Sequence, residues 1–152
     1  MEKKKIIKII LIVVFLLILV DQLSKVLIDK LVTNDIIILQ NVLTISKTEN
    51  SDFTLGLNKQ SITNIFLMIL ILVVVIRFVV IQKHNLQKST AIFLGMIIAG
   101  MISNLLDIIF KGAVLDFIII GDFSAINLAD CLVVVGWVLF IIDLFKRIRD
   151  VS

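Results

Sequence analysis

The sequence contains no proline and no tyrosine, only six glycines and a single cysteine. So little proline and glycine excludes collagen-like and flexible-linker chains. Long runs of leucine, isoleucine and valine exclude a disordered chain. Cys131 has no partner for an intrachain disulfide and cannot build a multi-cysteine metal site. The cysteine content therefore leaves the redox compartment open, and we expect no metal or other cofactor.

Apolar residues, in contrast, are in excess. They make up 60% of the 152 residues, and the mean hydropathy is +1.16, so a soluble globular fold is excluded. We predict a single all-α membrane domain with four transmembrane helices at about residues 6–28, 63–82, 91–110 and 128–146. Helices of about 20 residues cross a hydrocarbon core of about 30 Å. The first stretch lacks the small residues of a signal-peptide cleavage site, so we expect it to remain as a helix.

The charge pattern indicates an orientation in the membrane. The net charge of +3 could suggest a nucleic-acid partner, but ten of the 15 basic residues lie near the two termini, near residues 82–90 or at Arg77. Basic residues of this kind flank the cytoplasmic ends of spans. We therefore predict cytoplasmic termini, extracytoplasmic segments at 32–61 and 111–127, and no nucleic-acid partner. Residues 42–48 partly alternate and are rich in β-branched side chains, which predicts a small extracytoplasmic β-region.

Several polar residues gather at the predicted outer ends of the spans. They are Asp21, Lys25, Asn104, Asp107, Asn127 and Asp130. The first two are spaced i, i+4 on a helix and can neutralise each other. Taken singly, each acid can be explained as a residue at the membrane–water interface. Asn127 and Asp130 can likewise be explained as a helix cap. The clustering of acids from three spans on one face favours a functional site over these separate explanations.

A further acid, Asp116, lies between the last two spans. We predict that residues 111–118 form a short loop against the membrane surface, which brings Asp116 to Asp130 if the third and fourth helices pack side by side. Two carboxyl groups held close in a low-dielectric site share a proton. Such a dyad can activate water to hydrolyse a peptide bond without a nucleophilic serine, a cysteine or a metal.

The order of these motifs resembles that of signal peptidase II, the bacterial lipoprotein signal peptidases. Residues 21–25 (DQLSK) are similar to the family's D-Q-x-[ST]-K pattern, and residues 104–107 (NLLD) to its N-x-x-D segment. Residues 112–118 (GAVLDFI) resemble G-x-V-x-D-F-I, and residues 127–130 (NLAD) resemble N-x-A-D. The resemblance extends from about residue 9 to residue 146.

The resemblance implies an aspartic endopeptidase of the bacterial inner membrane. It would remove the signal peptide of a prolipoprotein just before a cysteine that carries diacylglycerol, in contact with membrane lipid and on the outer face. The residues that match the catalytic pair are Asp116 and Asp130. The residues that match the surrounding shell are Asp21, Lys25, Asn50, Asn104, Asp107, Asn127 and Ala129.

The sequence departs from the family pattern at four places, of which the mildest is Ile126 where the family has a phenylalanine. Ser103 stands where the family has a glycine, and Ile108 where it has an arginine, so a guanidinium contact is either missing or supplied by another residue. Three small residues of the family are replaced by Asp52, Phe53 and Thr54. We expect this bulkier segment to affect how substrate enters.

Two alternatives compete with the protease interpretation. A non-enzymatic four-helix carrier could use the outer carboxylates as ion ligands. It would need polar groups at mid-membrane or on the inner side, where the spans carry only Arg77 and Asp143, and Asp143 can pair with Lys146 or Arg147. Residues 128–131 (LADC) also resemble a lipobox, which would make the chain a substrate, but this motif normally closes an N-terminal signal peptide and has a small residue before the cysteine.

Overall fold

The computed structural model describes residues 2–50 and 59–151. Within them the helices and strands, in chain order, are α1 (Glu2–Leu31), β1 (Ile36–Leu39), β2 (Leu43–Asn50), α2 (Lys59–Gln82), α3 (Lys88–Lys111), β3 (Val114–Ile120) and α4 (Leu128–Val151). All four helices of the described residues are long and apolar enough to cross a membrane. The predicted fold class, four transmembrane helices with a small β-region, is confirmed.

Helix α3 lies at the centre of the bundle. It packs against α1, α2 and α4, and 61% of its most apolar segment is buried, against 17% in each of the other three helices. Those three helices expose many large aliphatic side chains, as expected where the solvent is lipid rather than water. The side chains that α3 presents therefore face protein on most sides, and its polar residues lie where the helices meet.

Glycines on α3 allow neighbouring helices to approach closely. A Cβ atom placed on Gly100 would collide with the backbone carbonyl of Ala129 at the start of α4. A Cβ on Gly95 would lie 2.9 Å from a methyl group of Val13 on α1. Small residues at helix contacts are typical of membrane bundles, because they let backbones pack tightly where no hydrophobic effect drives association. Gly100 thus sets the position of the segment that carries Asp130.

The β-region is a three-stranded antiparallel sheet in the order β1–β2–β3. The strand predicted at residues 42–48 corresponds to β2, which extends to Asn50. The prediction that residues 111–118 form a loop against the membrane is wrong, because Val114–Ile120 is strand β3. Its partner β2 lies some seventy residues earlier in the chain, so short-range patterns could not reveal the pairing.

The chain between α3 and α4 places Asp107 of α3 and Asp130 of α4 at the same end of the bundle. Helix α3 ends at Lys111 and is capped by Gly112, whose φ of 84° is left-handed and which donates its N–H to the carbonyl of Ile108 at 3.1 Å. Strand β3 then runs over the bundle, and Ile118 exchanges two backbone hydrogen bonds with Ile126, at 2.8 and 2.9 Å. These bonds bring the chain back to Asn127 and the first turn of α4.

We predict that Gly100→Ala destabilises the protein by about 1–3 kcal/mol, the usual cost of overpacking, because the new methyl group meets backbone that cannot rotate away. The matched control is Gly95→Ala, whose methyl group meets a valine side chain that can shift. Thermal unfolding in detergent measures both. Equal melting temperatures for Gly100→Ala and wild type would contradict the close approach of α3 and α4.

Candidate active site

The site is built around Lys25, a fully buried lysine on α1. Its Nζ lies 2.8 Å from Oδ2 of Asp21, one helical turn earlier, and 2.6 Å from Oδ2 of Asp107 on α3. All three side chains have no exposed surface. The predicted pair of Asp21 and Lys25 is confirmed, and Asp107 joins it from another helix. A buried ammonium group is tolerated only when carboxylates and hydrogen-bond acceptors surround it.

Asp21 connects α1 to both α3 and α4. Its Oδ1 accepts the backbone N–H of Ala129 at 2.8 Å, and its Oδ2 accepts the Ser103 hydroxyl at 2.7 Å. Ala129 therefore contributes its backbone to the site, since its side chain is only a methyl group. Ser103, which stands where the family has a glycine, adds a hydrogen bond to this network.

Asp107 has a second cation in addition to Lys25. Its Oδ1 lies 2.7 Å from Nζ of Lys111, which is half-exposed, and accepts a hydrogen bond from Gln22 at 3.1 Å. Ile108, at the position of the family's arginine, is buried and apolar. Lys111 thus supplies the cationic contact to Asp107 that the sequence left open. In this part of the site, the negative charges of Asp21 and Asp107 are therefore neutralised by the positive charges of Lys25 and Lys111.

Asn104 links the buried lysine to Asp130. Its Oδ1 accepts hydrogen bonds from Nζ of Lys25 at 2.9 Å and from Nδ2 of Asn127 at 3.1 Å. Because a lysine ammonium can only donate, the amide oxygen of Asn104 must face Lys25 and its NH₂ group must point the other way. That NH₂ group donates to Oδ1 of Asp130 at 2.8 Å. Lys25 therefore fixes the orientation of the amide that holds Asp130.

Asn127 bonds to both Asp116 and Asp130. Its Oδ1 accepts the backbone N–H of Asp130 at 3.0 Å, and its own N–H donates to Oδ2 of Asp130 at 3.1 Å. This reciprocal pair confirms the predicted helix cap. The remaining group of the side chain, Nδ2, donates to Oδ1 of Asp116 at 2.6 Å. The cap therefore also ties the first turn of α4 to strand β3.

Asp116 is almost fully buried on β3, where it pairs in register with Thr48 of β2. Its Oδ2 accepts a hydrogen bond from Nδ2 of Asn50, at the end of β2, at 2.6 Å. Burial raises the pKa of Asp116 to about 6. The hydrogen bonds from Asn50 and Asn127 lower this pKa, and the negative charge of Asp130 raises it further. The group thus accepts a proton at a higher pH than an ordinary aspartate.

A cavity of about 330 Å³ opens beside Asp130, between α2, α3 and α4. Its walls are mostly apolar, with Leu67 and Met68 of α2 facing Val133 of α4, and its polar end is formed by Asp130, Asn104 and Asn64. Asn64 was not identified from the sequence. The available signal was weak, a single amide just before the long apolar run that begins at Ile65. Cavities of this size that combine apolar walls with a few polar groups are typical ligand sites.

Every predicted site residue that the structure describes lies in this one network. The substituted segment of Asp52, Phe53 and Thr54 lies outside the described residues. Among the described side chains, no three acidic, histidine or cysteine groups are placed to hold a metal ion. Asp143, at the opposite end of the bundle, is bound to Arg147 at 2.7 Å, which confirms one of its two predicted partners.

The chain is similar to known proteins in sequence and in fold. Residues 13–146 match the model of the family described as signal peptidase (SPase) II. A lipoprotein signal peptidase of Halothermothrix orenii is 34% identical over 140 residues, which cover 90% of this chain and 94% of that protein.

Two solved structures share the fold. Both are described as a bacterial membrane enzyme studied by the in meso method, at 1.9 and 2.3 Å resolution. They superpose with TM-scores of 0.74 and 0.75, at 24% and 22% sequence identity. The matches cover 90% and 94% of this chain, and 92% and 91% of the respective structures.

We predict that Lys25→Met destabilises the protein by about 3–5 kcal/mol, because it leaves two buried carboxylates without their shared cation. Lys47→Met is the control, since Lys47 pairs with Asp29 but both side chains are about half-exposed and such pairs contribute at most about 1 kcal/mol. Thermal unfolding in detergent compares the two variants. Adding Asp21→Asn to Lys25→Met should restore part of the loss, because Asp107 keeps its ion pair with Lys111 whereas Asp21 is left without a cation. A loss no larger than that of Lys47→Met would contradict the central place of Lys25.

Proposed function

Since the chain belongs to the signal peptidase II family, as its motifs predicted, we propose that it removes signal peptides from prolipoproteins as an aspartic endopeptidase, with Asp116 and Asp130 as the catalytic pair. The bond cleaved would be the one before a diacylglyceryl-modified cysteine. The proposal rests on the contacts of Asn127. Its side chain donates a hydrogen bond to Asp116 at 2.6 Å, and its backbone N–H donates one to Asp130 at 3.1 Å. One residue thus ties the two carboxyl groups together.

The balance of charge supports a shared proton in this pair. Asp21 and Asp107 are already neutralised by Lys25 and Lys111. Among the described side chains, Asp116 and Asp130 have no ion-pair partner and are held by amide and backbone donors instead. Two negative charges in a site of low dielectric repel each other strongly, so one carboxyl group retains a proton. We assign the proton to Asp116 in the resting enzyme, because its side chain is 1% exposed whereas Asp130 is only partly buried.

The arrangement suits general acid–base hydrolysis of a peptide bond. Asp130 faces the cavity, where it takes a proton from water as the water oxygen attacks the scissile carbonyl carbon. Asp116 donates a hydrogen bond to the carbonyl oxygen, on which negative charge develops. Collapse of the tetrahedral intermediate breaks the C–N bond, and the proton taken by Asp130 passes to the leaving amine. The pair then returns to its singly protonated state.

The cavity supports access from the lipid phase. A signal peptide is an apolar helix in the membrane, and the apolar walls formed by α2 and α4 can receive it by lateral diffusion. The helix must unwind where it is cut, and its freed backbone N–H and C=O groups then need hydrogen-bond partners that lipid does not offer. Asn64, at the polar end of the cavity, is placed to provide one.

We also propose that both termini and the turn at residues 83–87 are cytoplasmic, with the acidic site on the outer side of the membrane. The support is the distribution of basic residues, which favours the cytoplasmic ends of spans. Reporter fusions at Lys88 should read as cytoplasmic and fusions at Asn50 as extracytoplasmic. The reverse pattern would refute this orientation.

We predict that Asp116→Asn and Asp130→Asn each lower kcat by at least about a hundredfold, the usual contribution of a general acid or base. The assay is cleavage of a diacylglyceryl-modified prolipoprotein by the purified enzyme. Asp122→Asn, at an exposed position of the turn after β3, is the matched control and should retain full activity. Substantial turnover in either dyad variant would rule out the proposed chemistry.

We predict a bell-shaped dependence of kcat/KM on pH, in which the alkaline limb reports loss of the proton from the dyad. The hydrogen bond from Asn50 lowers the pKa of Asp116. Asn50→Ala removes this effect, so the pKa of Asp116 rises and the alkaline limb moves to higher pH, by about one unit. Ser46→Ala on the same strand is the control. An unchanged limb, or one displaced to lower pH, would contradict the assignment of Asp116.

A further inference from the structure

A second cavity, of about 320 Å³, lies between α1 and α2 over the surface of α3. It is at the end of the bundle opposite the acidic site. The two long walls use the same helical spacing, i, i+3, i+4 and i+7. On α1 the wall runs from Ile7 to Val14. On the facing side it runs from Ile76 of α2 to Lys83, just after the end of that helix. Since such a spacing forms one face of a helix, each helix presents a continuous stripe to the cleft.

The cleft is apolar along its length. Apart from Lys83, each of the described side chains that line it is aliphatic, including Leu11 and Val80 on the facing helices. Water needs two to four polar partners to occupy a cavity, and an apolar cavity of this kind stays dry. The cleft therefore suits hydrocarbon, and in a bilayer the hydrocarbon available beside it is a lipid acyl chain.

Lys83 stands at the mouth of the cleft, just after the end of α2, and is half-buried. Four other cationic side chains are paired with carboxylates: Lys25, Lys47, Lys111 and Arg147. Among the described side chains, Lys83 takes part in no ion pair, as is true of several other surface lysines, but it is the cation that lines the cleft. A cation without an ion-pair partner at the mouth of an apolar cleft complements a negatively charged headgroup.

We propose that this cleft binds one anionic phospholipid of the cytoplasmic leaflet. Its acyl chain would lie between α1 and α2, and its phosphate would bind the ammonium group of Lys83. The lipid would join two helices that each pack against α3, so it would stabilise the folded protein in proportion to its occupancy. The proposal does not depend on the protease chemistry, because the cleft and the acidic site are at opposite ends of the bundle.

The test is native mass spectrometry of the full-length protein in detergent. The probes are phosphatidylglycerol and phosphatidylcholine with identical acyl chains, and sodium phosphate alone. Wild type should retain phosphatidylglycerol in preference to phosphatidylcholine. Lys83→Gln should lower phosphatidylglycerol retention about fivefold, the effect of one interfacial cation, and leave phosphatidylcholine unchanged. Lys88→Gln removes an exposed lysine outside the cleft and should have no effect.

A second variant tests the apolar part of the site. Val80→Trp fills the cleft and should lower the retention of both lipids, while phosphatidylglycerol should raise the melting temperature of wild type but not of this variant. Equal losses in Lys83→Gln and Lys88→Gln would overturn the proposal, because they would indicate general surface charge. Binding of sodium phosphate as strong as that of the lipid would also overturn it, as would a lipid-free dimer that occludes the cleft.

Discussion

The need to neutralise one buried ammonium group organises the end of the bundle that carries the acidic site. Lys25 lies where neither water nor lipid can solvate its charge, so acceptors must come from the protein. Asp21 provides one from the same helix, and Asp107 and Asn104 provide others from α3. Asp21 then accepts the backbone N–H of Ala129. Three helices are thereby held together at the level where their polar residues lie.

Hydrogen bonds of two asparagine side chains extend this network from Lys25 to the proposed catalytic pair, Asp116 and Asp130. A lysine can only donate, so it fixes which end of the Asn104 amide faces Asp130. Asn127 holds Asp130 through a helix cap and Asp116 through its NH₂ group. Asn50 reaches Asp116 from β2. Each carboxyl group is thus oriented by neutral donors, while the cations of the site are paired elsewhere, and this difference favours retention of a proton by the pair.

The sequence predicted the local relations and the gathering of the acids at one end of the bundle, but it missed several specific long-range contacts, for physical reasons. The pairing of Asp21 with Lys25 and the cap at Asn127 follow from helical geometry, which acts over three or four residues. Strand β3 was mistaken for a loop because its partner β2 is remote in the chain. The approach of Asp107 to Lys25, the contact of Lys111 with Asp107 and the position of Asn64 depend on how α1, α2 and α3 pack. No periodicity in a single chain encodes that packing.

Infrared spectroscopy of the protonated carboxyl groups, across a pH titration of the purified protein, measures most directly whether Asp116 holds the proton of the pair. We expect one carboxyl group with a pKa of about 6, whose signal is absent in Asp116→Asn but present in Asp122→Asn. Titration of every aspartate near its ordinary pKa of about 4 would contradict it.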